Sequence, residues 1–223
     1  CQFVDNRVYQ NINNVIGGKG SDTIIGATDG TNVLAGGAGN DNIWGKGEKS
    51  DTLYGGALSG ARTEGKDTFY FGAGDGKDFV MDYSMGNDTV NLHSLVGLDS
   101  ARAGRDANGN AYVRIAGTSD VLTFAGGTVN NLDLDITDAA NTKSKVVIGV
   151  ANDISFTTFD GKLADIYIGN KGTTNTLVLG ADQAYNIDLR NAGQYINVQN
   201  IKGGTVSSTL IGAADAASKI EAG

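Results

Sequence analysis

The sequence predicts an all-β protein: short strands that coil through glycine turns, continued by a longer strand-rich region. Three observations lead there. Residues 17–25 (GGKGSDTII) and 36–44 (GGAGNDNIW) both satisfy the nonapeptide rule G-G-x-G-x-D-x-U-x, where U is a large apolar residue. The 223-residue chain has 34 glycines and no proline, about twice the average glycine share. Its glycines alternate with Ile, Val and Leu at short spacing, the mark of many turns and not of a proline-rich disordered tail. Helical periodicity is absent throughout.

Each residue type in the nonapeptide has a physical task. Glycine lets the backbone take positive φ in a tight turn, aspartate places a carboxylate at that turn, and the apolar residue two positions on faces inward from a short strand. Between the strict matches runs a looser ten-residue turn, 26–35, with Asn32 in the aspartate place and Leu34 in the apolar place. A second ten-residue turn, 45–54, carries Asp51 and Leu53. The fifth, from Gly55, takes an insertion (57–64) before residues 65–69 restore the pattern with Asp67. Residues 74–80 and 86–90 continue it, with Asp78 and Asp88, as far as residue 92. Seven successive turns are enough to stack.

Two turns complete one coil of about 18 residues, so alternate turns lie above one another. Asp22, Asp41, Asp67 and Asp88 then line one edge, and Asn32, Asp51 and Asp78 the other. Strands about 4.8 Å apart bring successive carboxylates close enough to repel unless a cation sits between them. The ligands on offer are carboxylate and carbonyl oxygens, with one histidine and one cysteine in the chain, so calcium suits the turns better than zinc. A Gly-Asp turn array without metal is the alternative, and it competes more strongly at the inserted fifth turn than at the two strict repeats.

These residues resemble the repeats-in-toxin (RTX) family of secreted calcium-binding proteins, strongly over residues 17–92. The resemblance implies a calcium-binding parallel β-roll, secretion by a one-step (type I) exporter of a Gram-negative-type cell, and folding triggered by extracellular calcium. It also implies the ligands: the carbonyls of Gly18, Gly20, Gly37 and Gly39, with the side chains of Asp22, Asn32, Asp41, Asp51, Asp67, Asp78 and Asp88. Asn32 and the insertion after Gly56 depart from the family pattern, which makes their two sites weaker or absent.

Past residue 92 alternation replaces the glycine turns, and a β-solenoid or β-sandwich region is expected. Residues 131–137 (NLDLDIT) read as a period-2 strand, apolar on one face and acidic on the other. Residues 111–115 and 121–124 read likewise, the first introduced by Asn108-Gly109, a pair that suits a tight hairpin turn. Residues 145–150, 154–159, 164–168, 176–179 and 196–201 are the later strand candidates. The run 120–134 is loosely similar to the strand pairs that follow RTX rolls.

The two ends of the chain match each other. Residues 7–37 align without gaps on 193–223 at an offset of 186, with 12 of 31 positions identical, among them Tyr9 with Tyr195, Asn14 with Asn200 and Gly26-Ala27 with Gly212-Ala213. The match begins before the glycines, so duplication explains it better than shared composition. In the second copy Val206, Ser208 and Ser218 replace Gly20, Asp22 and Asn32, which keeps the apolar residues and loses the ligands. The expected organisation is a roll at 7–92, a strand-rich region at 93–202 and the start of a second, degenerate roll repeat at 203–223.

A net charge of −8 argues against nucleic acid or an anionic membrane surface as partner, since both need a basic patch. No 18-residue apolar stretch exists, so direct membrane insertion is not expected. Residues 1–25 do not read as a signal peptide. Cys1, the only cysteine, reads as a fragment boundary or a coupling residue in preference to a lipid-anchored terminus. No intrachain disulfide is possible, so a secreted protein of this kind must be stabilised some other way, and metal can serve that purpose.

Catalytic signatures are missing. The sole histidine, His93, excludes a two-histidine zinc site, and neither H-E-x-x-H nor G-x-S-x-G occurs. His93 reads as a turn or strand-edge residue. Residues 106–110 (DANGN) read as a hairpin turn, lacking the glutamate of a calcium loop. Asp133 and Asp135 read as a solvated strand face, and Trp44, next to the inward Ile43, as pointing outward.

These readings predict a structural calcium-dependent module, not an enzyme, in a large secreted or cell-surface repeat protein such as a surface-layer (S-layer), stalk or filament component. Its expected partners are calcium and neighbouring modules, joined head to tail. An adhesin segment binding a glycan or host protein is a second reading. The third is the RTX tail of a toxin or enzyme whose catalytic domain lies outside this chain.

Overall fold

The computed structural model describes residues 13–58, 65–95, 101–125, 129–138, 141, 143–150, 166–169, 174–179, 184–191, 193–213 and 218–221. Among these residues every regular element is a strand. The chain divides into two compact units, residues 1–129 with 135–143, and residues 130–134 with 144–223.

The first unit opens with eight strands: β1 (Asn14–Ile16), β2 (Thr23–Ile25), β3 (Val33–Ala35), β4 (Asn42–Trp44), β5 (Thr52–Tyr54), β6 (Thr68–Gly72), β7 (Lys77–Val80) and β8 (Thr89–Leu95). Odd-numbered strands pair in parallel in the order β1-β3-β5-β7, and even-numbered ones in the order β2-β4-β6-β8. Each coil therefore visits both sheets in turn, which makes this half of the chain a parallel β-roll.

Most of these strands are three residues long, so alternation leaves one inward side chain each. The register stacks those side chains. Val15, Leu34, Leu53 and Val80 are successive partners in one sheet, and Ile24, Ile43, Phe69 and Val90 in the other. All but Val15 are buried, at about 1.5–3 kcal/mol of hydrophobic stabilisation per large side chain. The insertion interrupts neither stack: the coil-to-coil step between aspartates is 19 residues from Asp22 to Asp41 and 26 from Asp41 to Asp67, and Phe69 still stacks on Ile43.

An antiparallel meander follows, β9 (Ala101–Arg105), β10 (Ala111–Ile115) and β11 (Val121–Phe124). Strand β11 pairs in parallel with β7 and sets Phe124 beside Val80, extending the inward stack. The β9–β10 hairpin turns at Asp106–Asn110, where Oδ1 of Asp106 accepts the N–H groups of Asn108 (2.9 Å) and Asn110 (2.8 Å) and Gly109 is left-handed. Hydrogen bonds from Asn110 hold the Asp106 carboxyl below the usual carboxylate range. Strand β9 was not expected, because ARAGR carries no apolar alternation.

Strand β12 (Asn131–Asp138) is divided between the two units. The second unit holds β13 (Lys143–Gly149), β14 (Ile166–Ile168), β15 (Thr176–Val178), β16 (Asn186–Asp188), β17 (Tyr195–Ile196), β18 (Asn200–Lys202), β19 (Thr209–Ile211) and β20 (Ile220–Glu221). The pairs β13-β14, β14-β17, β15-β18, β18-β20 and β16-β19 are all parallel, so this unit is a solenoid and not a sandwich. Its core is Tyr167, Leu177, Ile187, Tyr195 and Ile201, with the rings of Tyr167 and Tyr195 stacked 5.7 Å apart. The partners Ile201 and Ile220 repeat the partners Val15 and Leu34 at the offset of 186 seen in the sequence.

Three expectations are corrected. Residues 196–201 are not one strand, because Asn197 takes a φ of 54° and separates β17 from β18. His93 lies inside β8, paired with Gly72, and not at a turn. Asp133 is buried, since β12 is covered on both faces. Trp44 lies on the outward side of its strand, as expected, and is half-buried there: its Nε1–H donates to Oδ2 of Asp75 (2.9 Å) and its ring meets His93 edge-on at 4.8 Å. The candidate strand 154–159 falls outside the described residues. Phe69→Ala, which empties the middle of one stack, is expected to lower stability by about 3–5 kcal/mol in urea titrations monitored by circular dichroism with calcium present.

Candidate metal centre

Every turn of the roll places one side chain two positions before its inward apolar residue, and coil stacking fixes where that side chain goes. Along one edge the N–H of Asp22 donates to Oδ1 of Asp41 (2.7 Å), that of Asp41 to Asp67 (2.9 Å), and that of Asp67 to Asp88 (3.1 Å). Along the other the N–H of Asn32 donates to Oδ1 of Asp51 (2.7 Å) and that of Asp51 to Asp78 (2.9 Å). All seven side chains are buried.

These ladders use one carboxylate oxygen and leave the other to the glycine turn. Oδ2 of Asp41, Asp51 and Asp78 is buried without a hydrogen-bond partner. An isolated carboxylate in such a place is strongly unfavourable. Carbonyl and carboxylate oxygens crowd the glycine corners. A methyl group added at Gly36 would strike Oδ2 of Asp41 and come within 2.5 Å of the Gly55 carbonyl oxygen. At Gly45 it would lie 2.5 Å from Oδ2 of Asp51 and 2.9 Å from Oδ2 of Asp78. Only glycine leaves these oxygens room to converge.

The two strict turns differ in conformation. Gly37 and Gly39 are left-handed, with φ of 103° and 120°, whereas Gly18 and Gly20 lie outside that region. Asp22 differs from Asp41 as well, since its Oδ2 accepts the N–H of Gly18 (2.6 Å). Oδ2 of Asp88 likewise accepts the N–H of Ser84 (2.7 Å). The carbonyl of Gly18 takes the N–H of Ala38 one coil on (2.9 Å). The structure thus gathers the expected ligands into two stacked rows, with unpartnered oxygens at Asp41, Asp51 and Asp78.

Burial governs the acidity of these groups. Asp78 is pushed up to about 8, by burial first and then by the neighbouring carboxylates of Asp51, Asp75 and Asp120, against the opposing hydrogen bond from the Asp51 backbone. Asp67 rises to about 6, by burial and by Asp88, Asp41 and Asp82. Burial also raises Asp41 and Asp51. The array needs a positive charge and has no basic side chain in its ladders.

The donor set fits calcium. That ion takes six to eight oxygens, mixing carboxylates with backbone carbonyls. Among the described residues no three His, Cys, Asp or Glu side chains converge, so carbonyls of the glycine turns would have to complete the shell. Oδ2 of Asp41 on one edge, and Oδ2 of Asp51 and Asp78 on the other, would hold separate ions, and those ions would supply the missing positive charge.

Three carboxylates outside the expected set also serve the turns. Asp82 accepts the N–H groups of Gly55 and Gly56 (2.8 Å each), and Asp120 those of Gly74 (2.8 Å) and Gly76 (3.0 Å). Asp75 accepts from Gly72 (2.8 Å) and Trp44. Asp120 had a sequence signal, standing two residues before the apolar Leu122 as every roll aspartate stands before its inward residue. Asp82 and Asp75 fit no repeat position.

Stacked parallel coils with a row of aspartates and glycine carbonyls along each edge define the class of calcium-binding repeat modules. Residues 7–150 match the family model described as Peptidase M10 serralysin C terminal. The chain belongs to this family, whose domain is the RTX calcium-binding repeat region of secreted proteins. That domain is the non-catalytic part of serralysin. A search of curated proteins found no match to the chain.

Two outcomes are expected of the ladder. Without metal, the folded chain binds more protons than the unfolded one wherever a raised aspartate is protonated only in the fold. That stability is fully present below the ordinary aspartate value near 3.8 and is lost as pH rises through about 6 at Asp67 and about 8 at Asp78. Thermal midpoints measured in EDTA should therefore fall steadily from pH 4 to pH 8.5. Asp78→Asn should raise the midpoint in EDTA at pH 8 and weaken calcium binding by about tenfold or more in isothermal titration, because the site loses a ligand charge.

Proposed function

We propose that this chain is a structural, calcium-dependent module of a large secreted or cell-surface repeat protein, of S-layer, stalk or filament type, from a Gram-negative-type bacterium. The observation that carries the reading is the trio of buried, unpartnered Oδ2 atoms on Asp41, Asp51 and Asp78. A roll that stacks charge this way is poorly stable alone and well stabilised where divalent cations are abundant, as they are outside the cell. Calcium-dependent folding lets such a protein stay unfolded until it leaves the cell through a one-step exporter. The chain itself acts as scaffold and not as catalyst, with one histidine and no nucleophile motif.

The recurrence at an offset of 186 supports a repeating architecture. It appears in 12 of 31 aligned residues and again in strand register, Val15 on Leu34 and Ile201 on Ile220. Similar ends favour head-to-tail association between modules, an arrangement that grows open arrays. Calcium then acts twice, ordering the roll and lowering the charge that keeps copies apart. Circular dichroism and light scattering, with millimolar calcium and with EDTA, test this directly. A stronger strand signal and a higher thermal midpoint are expected with calcium than with EDTA, and large particles only with calcium. A chain equally folded in chelator would sink the proposal, and a calcium-folded chain that stays monodisperse would remove its assembly half.

A further inference from the structure

Asn32 occupies an aspartate place, yet its polar atoms are used differently from those of its neighbours. Its Oδ1 accepts the N–H of Ala27 (3.1 Å), much as Oδ2 of Asp22 accepts that of Gly18 (2.6 Å). Its Nδ2 donates to the carbonyls of Ala27 (2.9 Å) and Gly30 (3.1 Å) and to Oδ1 of Asp51 (2.9 Å). The side chain is buried, and both ends of the amide are satisfied. The partners also orient the amide, since an N–H lies on one side and only acceptors on the other.

Two carbonyls of one turn and a carboxylate of the next coil are the oxygens a hard cation collects. Here a neutral amide collects them through its own hydrogens. At Gly26, an added methyl group would meet the Gly45 carbonyl and, at 2.9 Å, Nδ2 of Asn32. At the corresponding place beside Gly36, it would meet the Gly55 carbonyl and the unpartnered Oδ2 of Asp41. Nitrogen replaces oxygen at the same corner, and the unpaired atom disappears.

The second unit repeats the device with other residues. Ser218, at the 186 offset from Asn32, accepts the N–H of Ala213 (2.9 Å) and donates to the Ala213 carbonyl (3.3 Å), as Asn32 does with Ala27. Nδ2 of Asn175, also buried, donates to the Asn197 carbonyl one coil on (2.7 Å).

We propose that Asn32 determines metal occupancy in the roll: its carboxamide takes the place of the cation and excludes calcium from the turn at residues 26–32. This inference rests on the reading of the roll as calcium-binding. Aspartate turns recruit the ion, and Asn32 closes its turn without one.

The test counts calcium ions per chain by isothermal titration and equilibrium dialysis with calcium chloride, using the whole 223-residue chain. Asn32→Asp should bind one ion more than the wild type, because a carboxylate cannot donate to the carbonyls and must share a cation with them. Asn32→Ser should keep the wild-type count, since a hydroxyl closes the equivalent turn at Ser218. An unchanged count in Asn32→Asp, with circular dichroism showing it folded in calcium, overturns the proposal. So does an Asn32→Ser count one lower than wild type, which decides the matter even where the aspartate variant fails to fold. A wild type that binds no calcium would overturn the calcium-binding reading itself, an outcome distinct from either variant result.

Discussion

A single hydrogen bond governs the roll, from the N–H of one turn's leading residue to Oδ1 of the aspartate one coil on. Its five copies run at 2.7–3.1 Å along two edges. Because each occupies Oδ1, the second oxygen must face the glycine corner. The inward stack of Ile43, Phe69 and Val90 then holds the backbone in the register that keeps the ladder straight. Hydrophobic packing and charge thus pull against each other: the stack favours the coil whether or not the carboxylates are neutralised, while the ladder favours it only when they are protonated or paired with a cation. The opposition between these terms makes the fold responsive to its surroundings.

Much of this was legible in the amino-acid order. The apolar residue two places after each aspartate marked the inward stack, and alternate turns marked the two edges, because both follow from fixed spacing. The strands Ala111–Ile115 and Val121–Phe124 were legible for the same reason, as was the hairpin at Gly109. Other features depend on tertiary neighbours. Asp133 sits in an alternating strand and looks solvated, but burial of β12 on both faces cannot be read from alternation. The break at Asn197 is a left-handed asparagine, permitted there by its side chain and unmarked by any glycine. Asp82 and Asp75 cap turn amides from positions outside the repeat, so no periodic rule points to them.

The two units show that one coil geometry can carry different chemistry at its corners. In the first, carboxylates fill most of the ladder positions; in the second, Asn175, Ser208 and Ser218 close turns through neutral hydrogen bonds. Both keep large buried side chains at the inward positions. Backbone shape therefore comes from the apolar residues and the turns, while the residue two places before each inward side chain decides what the corner asks of solvent. The likeness to the serralysin C-terminal family extends over residues 7–150 and so spans the aspartate-rich coils.

The step from Asp41 to Asp67 is seven residues longer than the step from Asp22 to Asp41, yet the ladder bond and the stacked ring of Phe69 are kept. Coil spacing is thus set by strand pairing, and loop length at that corner is a nearly free variable, since loop closure entropy grows only slowly with length. In evolutionary terms the corner after Gly56 is a graft point. New sequence can be tried there without renegotiating the core, and a scaffold of this kind can diversify its surface while its folding chemistry stays the same.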